Sequence, residues 1–304
     1  MVCGRISHPF PLPPPAGCGW ISARQGPAIC VAWGSVLCAA TFVIDKVLDG
    51  LRRTPLFTRS VDAARRTLPT PVFTWLSSQT VRHLRGTPRE VFAQIYRRNI
   101  WGYQETASGS GSTLQYTEKL RQDLPGLLTD LGIRTLLDVP CGDFHWMSQM
   151  ELPVERYIGC DIVPELIETA RSRHGRRDRE FHTIDLCNDP LPDADLLLCR
   201  DCLIHLSEEM NFLALANILG SNVRYLLTTT YPEGKNRAIR NGDWFTVNLC
   251  APPYNFPQPI RVIDDWLPPF QRRQLALWDI ESLRQARGDL LRPGHDSGAT
   301  TELA

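Results

Sequence analysis

From Arg134 to Thr230 the chain switches repeatedly between short apolar runs and longer amphipathic ones, and this alternation limits the fold more than any other feature. "RTLLDV", "RYIGCD", "EFHTID", "ADLLLCR" and "VRYLLTTT" read as strands. "VPELIETARSR" and "EEMNFLALANIL" read as helices, with apolar residues recurring at helical spacing. Strands that alternate with helices close into a parallel sheet covered on both faces. The expected fold is therefore α/β, a doubly wound, Rossmann-like, mostly parallel sheet, with "QLALWDIESL" as a last strand. That domain is expected over residues 119–285, with a polar, disordered tail over 286–304. Residues 45–118 read as a helical N-terminal cap made of short arginine-bearing helices. Within the cap, "ETASGSGSTLQYT" is either a flexible linker or a loop lying over a ligand.

Residues 1–44 are rich in proline and glycine and are expected to be disordered, apart from an uncharged run from Ala28 to Ile44. That run is slightly short of the ~20 residues a spanning helix needs, so it reads as a partly buried helix, as upstream sequence with no structural role, or as a membrane anchor giving weak association. Arginines and a lysine follow it closely, so an anchored chain would keep its main domain in the cytosol. The expected location is cytoplasmic. The 304 residues carry a net charge of 0, which gives no electrostatic reason to expect a nucleic-acid partner. Ten cysteines lie at irregular spacings. Cys199 and Cys202 form a C-x-x-C pair without the second ligand pair that a structural metal site wants, so no metal is expected.

In a doubly wound sheet, ligands lie beyond the carboxyl ends of the strands. Asp138, Asp161 and Asp185 follow the first three strands in order. A lone aspartate at such a place is commonly a turn or cap residue; three in succession describe a nucleoside site. Gly142 would let the backbone approach the ligand, Asp161 would accept ribose hydroxyls, and Asp185 an adenine amino group. A dinucleotide site wants G-x-G-x-x-G, because pyrophosphate rests on bare backbone amides. Here the turn is "PCGDFHWM", with one glycine, an acid at Asp143, and bulky Phe144 and Trp146. An acid and aromatic faces favour positive charge. S-adenosylmethionine, a sulfonium with a free ammonium group, fits that description.

"LLDVPCGDF", "YIGCDIVPELIETAR", "HTIDL" and "DLLLCRDCLIHLS" resemble the successive motifs of class I S-adenosylmethionine-dependent methyltransferases. The flanking "IYRRNIWGYQETASGSGS" and "TTTYPEGKNRAIRNGDWFTVNLCAPPYNFP" resemble a bacterial subgroup of unassigned substrate. The resemblance runs from about Arg89 to Leu283. It implies cofactor contacts from Asp138, Pro140, Gly142, Asp161, Ile162 and Asp185, with Arg200 and Asp201 lining the methyl-donor pocket. The first motif departs from the family pattern, with Pro140 in place of a glycine.

Methyl transfer to a hydroxyl benefits from a base. Asp201 and His205, four residues apart, are the candidates, and they would share a face if "RDCLIHLS" were helical. "APPYNF" is similar to an N/D-P-P-Y signature but follows the fifth strand rather than the fourth. It reads as a substrate-side loop, with Asp243, Trp244, Asn248 and Tyr254 as acceptor contacts, or as a proline-rich surface loop. The function expected is methyl transfer, at oxygen, to a small-molecule or glycan- or lipid-linked acceptor. The competing readings are a non-catalytic nucleoside-binding partner subunit and an NAD-dependent oxidoreductase.

Overall fold

A computed structural model describes residues 81, 84–101, 105–268 and 270–291. The uncharged run at 28–44 lies outside them. Among the described residues, no helix is long and apolar enough to cross a membrane.

The described chain begins with helix α1 (Pro88–Arg97), closed by a capping box in which Thr87 and Glu90 satisfy each other's backbone N–H groups. Helix α2 (Glu118–Asp130) leads into β1 (Thr135–Asp138). There follow β2 (Arg156–Asp161), α3 (Pro164–His174), β3 (Arg179–Thr183), β4 (Leu196–Cys199), α4 (Glu208–Gly220) and β5 (Tyr225–Thr230). Strands β6 (Arg261–Asp264) and β7 (Gln274–Asp279) and helix α5 (Ile280–Arg287) complete the order.

The seven strands form one sheet in the order β3-β2-β1-β4-β5-β7-β6. Strands β1 to β5 are parallel, and β7 runs antiparallel to both β5 and β6. The mostly parallel, doubly wound architecture read from the sequence is thus present. The central strands are buried along their length because both faces are covered, as parallel sheets require, while the edge strands β3 and β6 are partly exposed. Successive side chains point to opposite faces. Leu137, Ile158, Leu197 and Leu226 pack with Ala214, Leu215 and Ile218 of α4, while Leu136, Tyr157, Leu196 and Leu198 pack with Leu120 and Leu124 of α2 and Ile167 of α3.

Two sequence-based boundaries move. "QLALWDIESL" is not one strand: Asp279 ends β7 and accepts the Ser282 N–H at 2.9 Å, capping α5. Ordered structure then continues through a 3-10 turn to Leu291, past the expected boundary at 285. The other change is β6, a four-residue edge strand whose exposed Val262 and half-exposed Asp264 hide the alternation that would have marked it. Because β7 is antiparallel, its start lies with the end of β6 on the same edge of the sheet as the ends of β1 to β5. Asp265 and Arg273 are thereby delivered to the edge where a ligand would lie.

Candidate active site

The turn after β1 begins with Val139 and Pro140, joined by a cis peptide bond, and bends at Gly142 with φ +57°. A side chain at Gly142 would place its Cβ 2.1 Å from Ser108 Oγ, so only glycine fits under the segment that crosses here. Asp161, the last residue of β2, accepts the Gly142 N–H at 3.1 Å and the Val163 N–H at 2.9 Å, one on each carboxylate oxygen. Burial pushes its pKa up to about 6, against the pull of those backbone donors and of Ile162. Asp138 is deeper: burial pushes it up to about 7, while the Tyr157 hydroxyl, donating at 2.6 Å, and the Arg200 charge hold it down. Asp185 lies two residues beyond β3, half-buried. Its carboxylate accepts from the Cys187 N–H and from Asn188 Nδ2, each at 2.9 Å.

The acid and aromatics of the turn serve other partners than the sequence suggests. Phe144 is fully buried among Tyr157, Phe181 and His174, with the Arg179 guanidinium 4.7 Å above its ring. Trp146, also buried, receives the Arg200 guanidinium at 5.3 Å. Both rings do attract positive charge, as aromatic faces should, but the charge belongs to the protein's own arginines. Asp143 likewise faces the chain, accepting hydrogen bonds from Thr106, Ala107 and Ser108.

Beyond β4 stands a buried ionic cluster. Asp265, whose side chain is fully enclosed, accepts two bonds from Arg200, from Nε at 2.9 Å and Nη2 at 3.1 Å, and one from Arg273 Nη2 at 2.7 Å. Arg273 Nη1 reaches Asp201 at 2.6 Å and its Nε donates to the Asp265 carbonyl at 2.8 Å. Tyr116 lies under the Arg273 guanidinium at 4.7 Å. Asp201 sits in a left-handed turn, φ +54°, with its N–H on Thr229 Oγ1 at 2.8 Å. Burial alone would raise the Asp201 pKa, but Arg273, Arg200 and His205 outweigh it and hold the carboxyl below its usual range. Such a carboxylate is a poor proton acceptor.

His205 ends a 3-10 turn, Leu203–His205, so it and Asp201 do not share an α-helical face. Its Nδ1 lies 2.8 Å from the Asp243 carbonyl oxygen. A carbonyl only accepts, so in the neutral ring Nδ1 carries the proton and Nε2 the lone pair. Trp101 stacks on the ring at a centroid distance of 4.8 Å, with the planes at 32°.

The acceptor-side residues divide. Asp243 and Trp244 are half-buried beside His205, with Trp244 edge-on to Tyr231 at 6.3 Å. Asn248 is spent on the loop itself: its Nδ2 donates to the Pro232 carbonyl at 2.9 Å and its Oδ1 accepts the Cys250 N–H at 3.1 Å. Tyr254 is 4% exposed, and its hydroxyl accepts from Asn211 Nδ2 of α4 at 2.9 Å. In this arrangement it is a core residue and does not reach an acceptor, because its only polar group is turned onto a helix. Asp265, Arg273 and Thr229 were not singled out in the sequence. The paired charges in "RVIDDW" and "QRRQ", flanking otherwise apolar strands, were the available signal.

The donor set suits an adenosyl ligand. A carboxylate offers about four lone-pair sites, so Asp161 and Asp185 can accept from a ligand beside their own donors, which suits a vicinal diol and an exocyclic amine. Gly142 lacks the Cβ that would collide with Ser108 of the crossing segment. Residues 137–219 match the family model described as a methyltransferase domain. Among curated proteins, none matches the chain. An N-methyltransferase from Bradyrhizobium japonicum is 13% identical, with 54% of this chain and 96% of that chain covered and a TM-score of 0.41. The magnesium protoporphyrin IX methyltransferase of Synechocystis, solved with bound S-adenosylmethionine, is 15% identical, covering 64% and 98%, with a TM-score of 0.44. An O-methyltransferase family 2 protein from Planctomyces limnophilus is 19% identical, covering 48% and 50%, with a TM-score of 0.38. Identities this low leave the acceptor of the present chain open.

The sheet order, the acids closing its strands and the domain match define a nucleoside-dependent transferase of Rossmann-like type. The chain carries a class I S-adenosylmethionine-dependent methyltransferase domain and is an enzyme that takes S-adenosylmethionine as its methyl donor.

Proposed function

We propose that the chain transfers the methyl group to a hydroxyl oxygen of a small-molecule or glycan- or lipid-linked acceptor, with His205 as the base. The observation that carries this reading is the Nδ1–H···O=C bond from His205 to Asp243 at 2.8 Å. It sets the tautomer, and Trp101 sets the plane of the ring. S-adenosylmethionine, when bound, supplies a methyl already activated by its sulfonium, so the protein's task is alignment and removal of one proton. In this scheme Nε2 of His205 takes the acceptor's proton. Asp201, kept ionised by Arg273 and Arg200, acts as a fixed negative charge that favours the imidazolium formed. Asp161 accepts the ribose hydroxyls, Asp185 the adenine amino group, and the turn Pro140–Gly142 with Ile162 packs beside them. Asp138, bonded to Tyr157, and Arg200, bonded to Asp265, stand at the ends of β1 and β4 beside this turn. Asp243 and Trp244 flank the acceptor. The neutral net charge counts against a nucleic-acid acceptor.

Calorimetric titration of the full chain with S-adenosylhomocysteine is expected to show binding that Asp161→Ala weakens about 100-fold or more, the worth of two lost hydrogen bonds to a carboxylate. NAD should give no heat, and binding of NAD alone would sink the cofactor assignment. The acceptor is to be found by incubating the chain with methyl-labelled S-adenosylmethionine and extracts separated into small metabolites, lipids, polysaccharides and nucleic acids. His205→Ala should slow labelling at least about 100-fold, the lower end of what a positioned base contributes. Label accumulating in nucleic acid, or transfer unimpaired in the variant, would refute the reading.

A further inference from the structure

The segment Glu105–Leu114 crosses the carboxyl edge of the sheet and is pinned at both sides of the boundary between β1 and β4. On the β1 side, the Asp143 carboxylate accepts from Thr106 Oγ1 at 3.0 Å, the Ala107 N–H at 2.7 Å and Ser108 Oγ at 3.2 Å. The Asp143 N–H returns a bond to Ser108 Oγ at 3.2 Å, and Glu105 reaches His145 Nε2 at 3.1 Å. On the β4 side, Arg200 Nη2 donates to the Gly111 carbonyl at 2.6 Å. The strand order reverses between β1 and β4, which is where a doubly wound sheet holds its ligand.

The crossing segment, "ETASGSGSTL", is rich in glycine and serine. Such a sequence loses much backbone entropy when ordered and has little apolar surface to bury in return. Its closed position therefore depends on polar anchors, and Asp143 supplies a bonded cluster of them. Hydrogen bonds to an ionised acceptor are the strong kind.

We propose that Asp143 is a positioning residue that latches this strap over the cofactor, so that the cofactor enters and leaves only when the latch opens. The proposal rests on the S-adenosylmethionine reading of the site. A latch of this kind holds the strap equally with and without ligand, so it acts on the rates of exchange and leaves the equilibrium affinity nearly unchanged.

The test is stopped-flow tryptophan fluorescence of the full chain with S-adenosylhomocysteine, comparing wild type, Asp143→Ala, the strap-side pair Thr106→Val with Ser108→Ala, and the combination. Thermal unfolding of each variant confirms that it is folded. The expected result is that Asp143→Ala and the strap-side pair each speed both association and release about tenfold, the worth of roughly one charged hydrogen bond. Their effects should not multiply in the combination, because both remove the same contacts. The dissociation constant should change by less than about threefold, since the latch acts alike in the free and bound protein. Unchanged rates in the strap-side pair would overturn the latch, and so would faster release at unchanged association in Asp143→Ala alone, which would mean that Asp143 touches the cofactor itself. Wild-type chain that binds no S-adenosylhomocysteine would remove the cofactor reading, and the latch with it.

Discussion

Asp265→Ala is expected to lower the unfolding free energy by about 3–5 kcal/mol, the cost of leaving buried charges without their partner. The reason is geometric. The Asp265 carboxylate is completely enclosed and takes three bonds from two guanidinium groups that are themselves only 4% exposed. Removing it leaves Arg200 and Arg273 facing each other across a void, with Asp201 as the carboxylate still paired to both. Asp201→Asn should cost less, because that carboxylate is 18% exposed and keeps Thr229 as a partner through its amide. Urea unfolding of the full chain gives both differences at constant m-value. A loss below about 1 kcal/mol for Asp265→Ala would mean that water or a rearranged Asp201 replaces the missing charge. The consequence for function is spatial. Arg200 also holds Gly111, so failure of the cluster frees one end of the strap as well as loosening the turn that carries Asp201.

How much of this was legible beforehand depends on whether a feature is local in sequence. The central parallel strands were readable because their apolar runs, "LLLC" above all, are a pattern that burial on both faces produces, and β3, "REFHT", was readable from its place in the alternation. Asp161 and Gly142 were readable for a related reason: an acid closing a strand and a glycine in the following turn are features of neighbouring residues. The ionic cluster was not. Its members Arg200, Asp265 and Arg273 come together only because the last strand runs antiparallel, and nothing within "RVID" reveals that it pairs at all. The turn "CGDFHW" was read for the right chemistry but with the wrong partners. An acid and two aromatic rings do seek donors and cations; Arg179, Arg200 and the strap meet that demand from 35 or more residues away. Tyr254 failed in the opposite direction. A tyrosine in a proline-rich loop looks available, and only the packing of α4 shows that Asn211 has claimed its hydroxyl.

Asp138→Asn is expected to stabilise the protein at pH 8 by about 2–4 kcal/mol, and progressively less as the pH is lowered. Burial raises the Asp138 carboxyl from its ordinary 3.8 to about 7 in the folded chain. Between those two values the native state holds a proton that the unfolded state has released. The native state thus binds more protons, and stability falls as pH rises through this window. A shift of roughly three units corresponds to about 4 kcal/mol when the window has been fully crossed. Asp161, raised to about 6, adds to the same trend, and the two carboxyls disfavour each other's ionisation. An amide at position 138 keeps an oxygen for the Tyr157 hydroxyl, which now lies 2.6 Å from the carboxylate, and carries no charge to desolvate. Urea unfolding at pH 5 and pH 8 should therefore show a wild type that weakens between the two and a variant that weakens much less, with the stabilities converging toward low pH. A variant no more stable than wild type at pH 8 would show that Asp138 is ionised at little cost, well partnered by Arg200 and Tyr157. The expected gain also bears on what the residue is for. A carboxyl held against the interests of the fold, beside the turn that carries Gly142, is retained for what it does to that turn and its ligand. The same variant should accordingly bind S-adenosylhomocysteine more weakly while resisting urea better, and a variant improved in both would deny Asp138 any part in the site.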